Sequence, residues 1–261
     1  MSTALARIAE IARTQPTSRF TSLAHLLDIE MLKQCHTEQK AKRASGVDGV
    51  TKAEYDGNLE TNLGRLHERL RSQAYRPQPV RRTYIPKPGS HKRRPLGIPA
   101  YEDKLVQSAV SKILTAIFEA DFLDVSYGFR PQRGAHDALK TLNHLFITKK
   151  INYVVDADIM GFFDHMDHPW LMKFLAHRIA DKSLLRLIHR FLKAGIMEDG
   201  TWRESGSGTP QGGLVSPILG NLYLHHVLDL WFEKAVRTQC LGKAYMIRYA
   251  DDCAPRKFQV G

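Results

Sequence analysis

Residues 247–256 read IRYADDCAPR. An apolar, strand-like run, KAYMIRY (243–249), delivers two adjacent acids, Asp251 and Asp252, at its end. A second β-rich run, INYVVDADI (151–159), carries Asp156 and Asp158 and reads as a buried strand. Side chains alternate along a strand, so Asp156 and Asp158 share one face with Ala157 opposite. Spacing alone leaves either acid available. A lone aspartate pair is more often a turn or a cap. With the two strands side by side, however, three or four carboxylates converge. A divalent cation relieves their repulsion, and Mg²⁺ prefers hard oxygen ligands while keeping positions open for phosphate oxygens. Two such ions, about 4 Å apart, can clamp the attacking and leaving oxygens of an in-line phosphoryl displacement.

The surroundings suit that chemistry. The chain has 261 residues with a formal net charge of +11, and is 43% hydrophobic and 25% charged. That length fits one or two compact units, and the charge favours a polyanionic partner. Three cysteines, Cys35, Cys240 and Cys253, form no close pair, which argues against a disulfide framework or a structural zinc. The opening MSTALARIAEIARTQ does not read as a signal peptide, and no apolar run is long enough to span a bilayer. A cytoplasmic setting without a membrane is the expectation.

Residues 22–42 and 55–72 carry helical leucine spacing on either side of a glycine-containing loop, ASGVDGVT (44–51). Residues 76–94, RPQPVRRTYIPKPGSHKRR, hold seven Lys or Arg and no acid. Their prolines exclude helix, and the stretch reads as a basic hairpin over 76–99. Apolar positions from Leu105 to Phe118 recur at helical spacing. SYGFRPQRGAHDAL (126–139) is a loop entering a helix. Two further helices cover DHPWLMKFLAHRI and KSLLRLIHRFLKAG, the second closed by Gly195. After the turn SGSGTPQGG, Ser216-Pro217 reads as an N-cap followed by proline at the first helical position.

Six stretches, SGVDGVT, YIPKPGSHKRRPLGIP, SYGFRPQRGAHDAL, DADIMGFFDHMDH, GTPQGGLVSPILGNLYL and RYADD, together resemble the blocks of group II intron-encoded reverse transcriptases, the maturase-type proteins. The likeness runs from about residue 22 to 252. It implies an α+β fold: right-hand polymerase fingers and a partial palm, an antiparallel palm sheet packed with helices, and no thumb. The implied division is an N-terminal helical extension (1–43), fingers (44–150) and an incomplete palm (151–261).

By the same resemblance the catalytic acids are Asp158, chosen over Asp156 by the block DIMGFFD, with Asp251 and Asp252. The Ile159 carbonyl completes a shell for two Mg²⁺ ions. Asp164 and Asp167 serve the following turn and helix start. Phe163 stands as a steric gate against a 2′-hydroxyl, with Phe162 in the core. Gln211 and Gly212 face the incoming nucleotide. Lys87 and Arg94 grip its triphosphate, with Arg93 an alternative to Arg94. Arg81, Arg82, Lys92 and Arg93 follow template phosphates. Arg130 and Arg133 either contact the template strand or brace the core. The partners are an RNA template, the intron RNA, with a DNA primer and deoxynucleoside triphosphates.

The likeness stops at CAPRKFQVG. Pro255 lacks a ladder donor and Arg256-Lys257 are polar, so this is a poor central strand. The stretch reads as a fragment terminus or a frameshift. The hairpin then lacks its return strand, exposing apolar palm surface. Marginal stability and weak or absent polymerase activity are expected of the chain alone. A non-catalytic RNA-binding, splicing-assistance remnant is the alternative. A two-metal nuclease would also need clustered acids, but not Gln211, Phe163 or a triphosphate grip.

Overall fold

The structure is a computed structural model that describes residues 3–86, 93–210 and 212–256, with backbone alone for 253–256. The roles expected of Lys87, Lys92 and Gln211 fall on residues outside these. Helix α1 (Thr3–Thr14) is followed by α2 (Ile29–Glu38), α3 (Lys52–Asp56) and α4 (Leu59–Arg71). Strands β1 (Val80–Pro86) and β2 (Arg93–Ile98) then lead into α5 (Tyr101–Phe118). This helix is buried on nearly every side, from Leu105 through Val110 and Ile113 to Phe118, as an all-round apolar helix must be. Helices α1 and α2 pack on it. One hydrophobic core joins Leu5 of α1 to Leu63 of α4, Ile113 of α5 and Leu219 far along the chain, so the N-terminal extension shares its core with the rest.

Next come α6 (Ala135–Thr148), β3 (Ala157–Asp158), α7 (Phe162–His165), α8 (His168–Arg178) and α9 (Lys182–Leu192). Gly195 ends the α9 segment at φ 82°, and a methyl there would strike the Trp202 ring and the Arg203 carbonyl. Strands β4 (Ile196–Glu198) and β5 (Thr201–Arg203) form a hairpin. Asp199 and Gly200 turn it with φ 48° and 77°, the two positive values a type I′ turn requires. Helix α10 (Ser216–Leu224) continues through two π-helical turns (His225–Asp229 and Phe232–Val236) into α11 (Arg237–Gln239). Strands β6 (Tyr245–Tyr249) and β7 (Asp252–Arg256) complete the described chain.

The strands make two sheets. One is mixed, in the order β2-β1-β4-β5. Its β1–β2 hairpin is antiparallel, from Arg81↔Ile98 to Pro86↔Arg93, while β4 joins β1 in parallel through Val80↔Ile196. The other, β3-β7-β6, is antiparallel throughout. Its β6 alternates as a strand between two layers must. Ile247 packs with Tyr127 and Ala138 beside α6, and Met246 packs with Phe232 of the long C-terminal helix.

Three expectations need correction. Residues after Asp252 do form a strand: β7 is central in its sheet, between β3 and β6. Pro255 is tolerated because β3 reaches only Cys253 and Asp252, leaving Pro255 on a stretch paired on one side. Conversely, 151–156 form no strand, and Tyr153, Val154 and Val155 are exposed. Extending the Asp158↔Asp252 register would set Val155 opposite Pro255, which has no amide hydrogen to give. Finally, Ser216 is the first helical residue and not the cap; Val215 holds the cap position without a side-chain bond. The Ser216 hydroxyl instead donates to the Pro210 carbonyl at 3.0 Å and meets the Thr209 hydroxyl at 2.8 Å, closing the preceding loop.

Candidate active site

Tyr249 pairs with Asp252 across β6–β7, so Ala250 and Asp251 alone make the turn. Ala250 takes φ 56°, a left-handed conformation that a residue with a Cβ adopts only under outside constraint. Asp158 of β3 stands directly opposite Asp252 of β7. Asp251 is half-buried, while Asp158 and Asp252 are exposed. The Asp252 carboxyl lies above its ordinary range. Partial burial is the first cause, followed by the charges of Asp251, Asp158 and Asp156 and a hydrogen bond with Asp158. Repulsion of this kind requires proximity. The register places Asp158, and not Asp156, opposite Asp252.

These are hard oxygen donors carrying concentrated negative charge, which fits Mg²⁺. Among the described residues, no three His, Cys, Asp or Glu side chains are set as a ready-made metal cluster. The geometry is a facing carboxylate pair with a third acid in the adjoining turn. The Ile159 carbonyl accepts from the Phe162 amide at 3.3 Å, which commits one of its two lone pairs. An open hollow of about 250 Å³ adjoins Asp252 and Asp156, lined by Ala138, Leu142, Ile247 and Tyr249. A larger hollow of about 680 Å³ lies between α1, α2 and α5 and contains none of these acids.

The block after β3 turns on Gly161 at φ 64°. Phe162 is buried in the core as expected, and Phe163 is half-buried beside it, with ring centroids 5.1 Å apart. The Phe163 carbonyl accepts from Thr209 at 2.7 Å, so the GTPQGG loop is pinned next to the expected gate. Asp167 caps α8, accepting from the Trp170 amide at 2.8 Å. Gly212 has φ 109°, and a methyl on it would meet the Gly97 carbonyl at 2.5 Å. Its need for glycine comes from close packing on β2. Phe163, the glycine loop and the basic hairpin are therefore neighbours.

Sequence reasoning missed Gln107. It lies buried in α5, and its Oε1 accepts the Leu214 amide at 2.8 Å, fixing the far side of this loop. A polar residue on an otherwise apolar helix was the available signal.

The basic residues divide. Arg82 is half-buried, and Arg93 and Arg94 are exposed on the hairpin. Arg81 donates through Nε and Nη2 to the Ser45 carbonyl at 3.1 and 2.7 Å, tying the hairpin to the SGVDGVT loop. Arg130 is buried: it pairs with Glu119 at 2.7 Å and donates to the Leu123 and Ser126 carbonyls. That is the core-bracing alternative. Arg133 pairs with Asp124 at 2.5 Å and lies over the Tyr127 ring.

The family profile described as "Reverse transcriptase (RNA-dependent DNA polymerase)" matches residues 85–254. The chain belongs to the reverse transcriptases, in their group II intron-encoded branch. It is 40% identical over 224 residues to "Group II intron-encoded protein LtrA" of Lactococcus lactis subsp. cremoris, a match covering 85% of this chain and 37% of that one. It is 37% identical over 227 residues to "Protein YkfC" of Escherichia coli (strain K12), covering 84% of this chain and 59% of the relative. The chain thus spans only part of these relatives. In fold it is similar to a chain of the "Partial Cas6-RT-Cas1--Cas2 complex", with a TM-score of 0.53 at 20% identity, over 90% of this chain and 38% of that one. No helix among the described residues is long and apolar enough to cross a membrane.

Proposed function

We propose that this chain is the fingers and palm of an RNA-directed DNA polymerase acting with a group II intron RNA. Residues 44–150 are the fingers, 151–261 belong to the palm, and 1–43 extend the fingers. The observation that carries the reading is the β3–β7 register, which faces Asp158 with Asp252 beside Asp251 in the turn. Asp158, Asp251 and Asp252, with the Ile159 carbonyl, would hold two Mg²⁺ ions. Bound there, the metal would lower the pKa of a primer 3′-hydroxyl and neutralise charge developing on the α-phosphate and on the departing pyrophosphate.

The chain's own residues bind and orient. Lys87 and Arg94 hold the triphosphate, Arg94 with the planar fork that suits phosphate oxygens. Phe163 occupies the volume a 2′-hydroxyl would need. Gly212 and Gln211 lie against the nucleotide. Arg82, Lys92 and Arg93 follow the template backbone, and Arg133 contacts the template strand. The test is primer extension on an RNA template with deoxynucleotides and Mg²⁺. Wild type extends the primer weakly at most, while Asp251→Ala abolishes any extension and leaves RNA binding intact. Extension that persists in Asp251→Ala removes the metal assignment. RNA binding without any extension by wild type would favour a splicing-assistance role.

A further inference from the structure

Beneath the Ala250–Asp251 turn lies a buried polar network that the polymerase chemistry does not use. Arg248 and Asp229 are both fully buried. The Arg248 guanidinium has five N–H donors, and all five are placed. Nε donates to Asp229 Oδ1 at 2.8 Å, and Nη2 donates to Asp229 Oδ2 at 2.7 Å and to Ser126 Oγ at 2.8 Å. Nη1 donates to Asn221 Oδ1 at 3.1 Å and to the Ala250 carbonyl at 2.9 Å. The last of these bonds grips the one residue held left-handed in the turn. Asn221 then passes the restraint on, donating through Nδ2 to the Gly128 carbonyl at 2.7 Å. Gly128 presses on Ala250 from outside, for a methyl there would overlap the Ala250 nitrogen and lie 3.0 Å from its Cα. Backbone bonds Tyr127 N→Arg248 O (2.9 Å) and Arg248 N→Val125 O (2.7 Å) lock the same loop along β6.

Three stretches distant in sequence thus meet behind one turn: SYG (126–128), Asn221 with Asp229 on the long helix, and Arg248 of RYADD. Arg248 makes no hydrogen bond to the carboxylates it serves: two of its donors go to Asp229, and its one bond to the turn goes to a carbonyl.

We propose that Arg248, with Ser126, Asn221 and Asp229, is a positioning device. It holds Ala250 in its left-handed conformation and so sets where Asp251 and Asp252 point. The proposal rests on the polymerase reading for its purpose, but not for its test. Arg248→Lys keeps the charge and loses the five-donor fork. Ser126→Ala is the gentler variant, removing one acceptor and little volume. Ala250→Gly removes the conformational strain that the network counters.

The experiment measures amide hydrogen exchange residue by residue, and binding of Mn²⁺ alone by electron paramagnetic resonance, on the full chain. In Ser126→Ala, exchange at 249–252 accelerates about tenfold, the equivalent of one charge-assisted hydrogen bond, while α5 and α9 stay at wild-type rates. Arg248→Lys gives a larger effect at the same amides. Mn²⁺ affinity falls in parallel. Adding Ala250→Gly to Ser126→Ala restores most of both losses, because glycine takes a positive φ without restraint. A network serving only global stability would speed exchange everywhere and gain nothing from the glycine, and that pattern overturns the proposal. Selective loosening of the turn with no Mn²⁺ bound by wild type supports the brace and removes the polymerase reading. Mn²⁺ bound by wild type, with the turn unmoved in both variants, removes the brace and leaves that reading standing.

Discussion

Gly128→Ala tests how tightly the acidic turn is held. The Gly128 backbone takes no positive φ, so alanine meets no conformational objection of its own, and the whole effect comes from the added methyl. That methyl would overlap the Ala250 nitrogen and stand 3.0 Å from its Cα and 3.1 Å from its Cβ. Neither side can yield cheaply. Ala250 is already left-handed and its carbonyl is bound by Arg248, while the Gly128 carbonyl is bound by Asn221. Overpacking typically costs about 1–3 kcal/mol, and contact with backbone instead of a flexible side chain puts this case at the upper end. For a chain of this size, about 3 kcal/mol lowers Tm by roughly 6–12 °C. Relief requires the turn to move by about 1 Å, enough to reduce a nucleotidyl-transfer rate about 100-fold. Urea unfolding followed by circular dichroism gives the first quantity, and initial rates of primer extension the second. A variant with wild-type stability and wild-type rate would refute the claim that Gly128 and Ala250 are in fixed contact.

Asp252→Asn should stabilise the fold while abolishing metal binding, since like charges facing across a ladder cost about 0.2–1 kcal/mol. The Asp252 carboxyl is raised, so the penalty is absent in acid, grows as pH rises from the unfolded carboxyl's range to the folded pKa, and is full above it; a stability gain confined to acid would contradict this. Burial pushes the Asp103 carboxyl up to about 7, although it accepts from the Tyr75 hydroxyl and the Gln78 amide. The folded chain therefore keeps a proton that the unfolded chain releases near pH 4, and stability falls by at most about 1.4 kcal/mol per pH unit until pH 7. Urea midpoints from pH 5 to 8 check the slope, and Asp103→Asn should flatten it. Arg178 is buried, pairs with Asp121, and donates to the Ala12 and Ser18 carbonyls. Arg178→Met should cost about 3–5 kcal/mol and expose residues 3–19 to proteolysis, and resistance of that segment would show that α1 is held by other means.

How much of this was legible in the sequence depended on whether the signal was local. Helix α5 was readable because its apolar spacing is continuous, and the β1–β2 hairpin because prolines excluded helix from a basic run. The Asp167 cap and the left-handed Gly195 follow from residue type and position. The β4–β5 hairpin was missed, although Asp199-Gly200 carries the usual two-residue turn signal. The parallel pairing of β1 with β4 is non-local, since those strands lie more than a hundred residues apart, and nothing within either segment announces it. The same holds for Arg248, which looks like any strand arginine until Asp229, Asn221 and Ser126 are placed around it. The run 151–156 was misread because β-propensity describes what a segment can do beside a partner, not whether a partner has donors to offer.

The charge arrangement at the turn carries a last step. A buried arginine within reach of a carboxylate group would ordinarily lower those pKa values. Arg248 lies four residues before Asp252, yet the Asp252 carboxyl is raised, by partial burial first and then by the charges of Asp251, Asp158 and Asp156. The Arg248 guanidinium spends two donors on Asp229 and its other three on a hydroxyl, a side-chain amide oxygen and a backbone carbonyl, so none of its hydrogen bonds goes to Asp158, Asp251 or Asp252. The chain thus fixes the turn mechanically without discharging it electrically. Had stability alone been selected, an arginine or lysine facing Asp158 and Asp252 would have been the cheaper arrangement, because it would turn repulsion into attraction. Instead the repulsion is left in place on a braced backbone, which is the condition under which a cation from solution gains most from binding there.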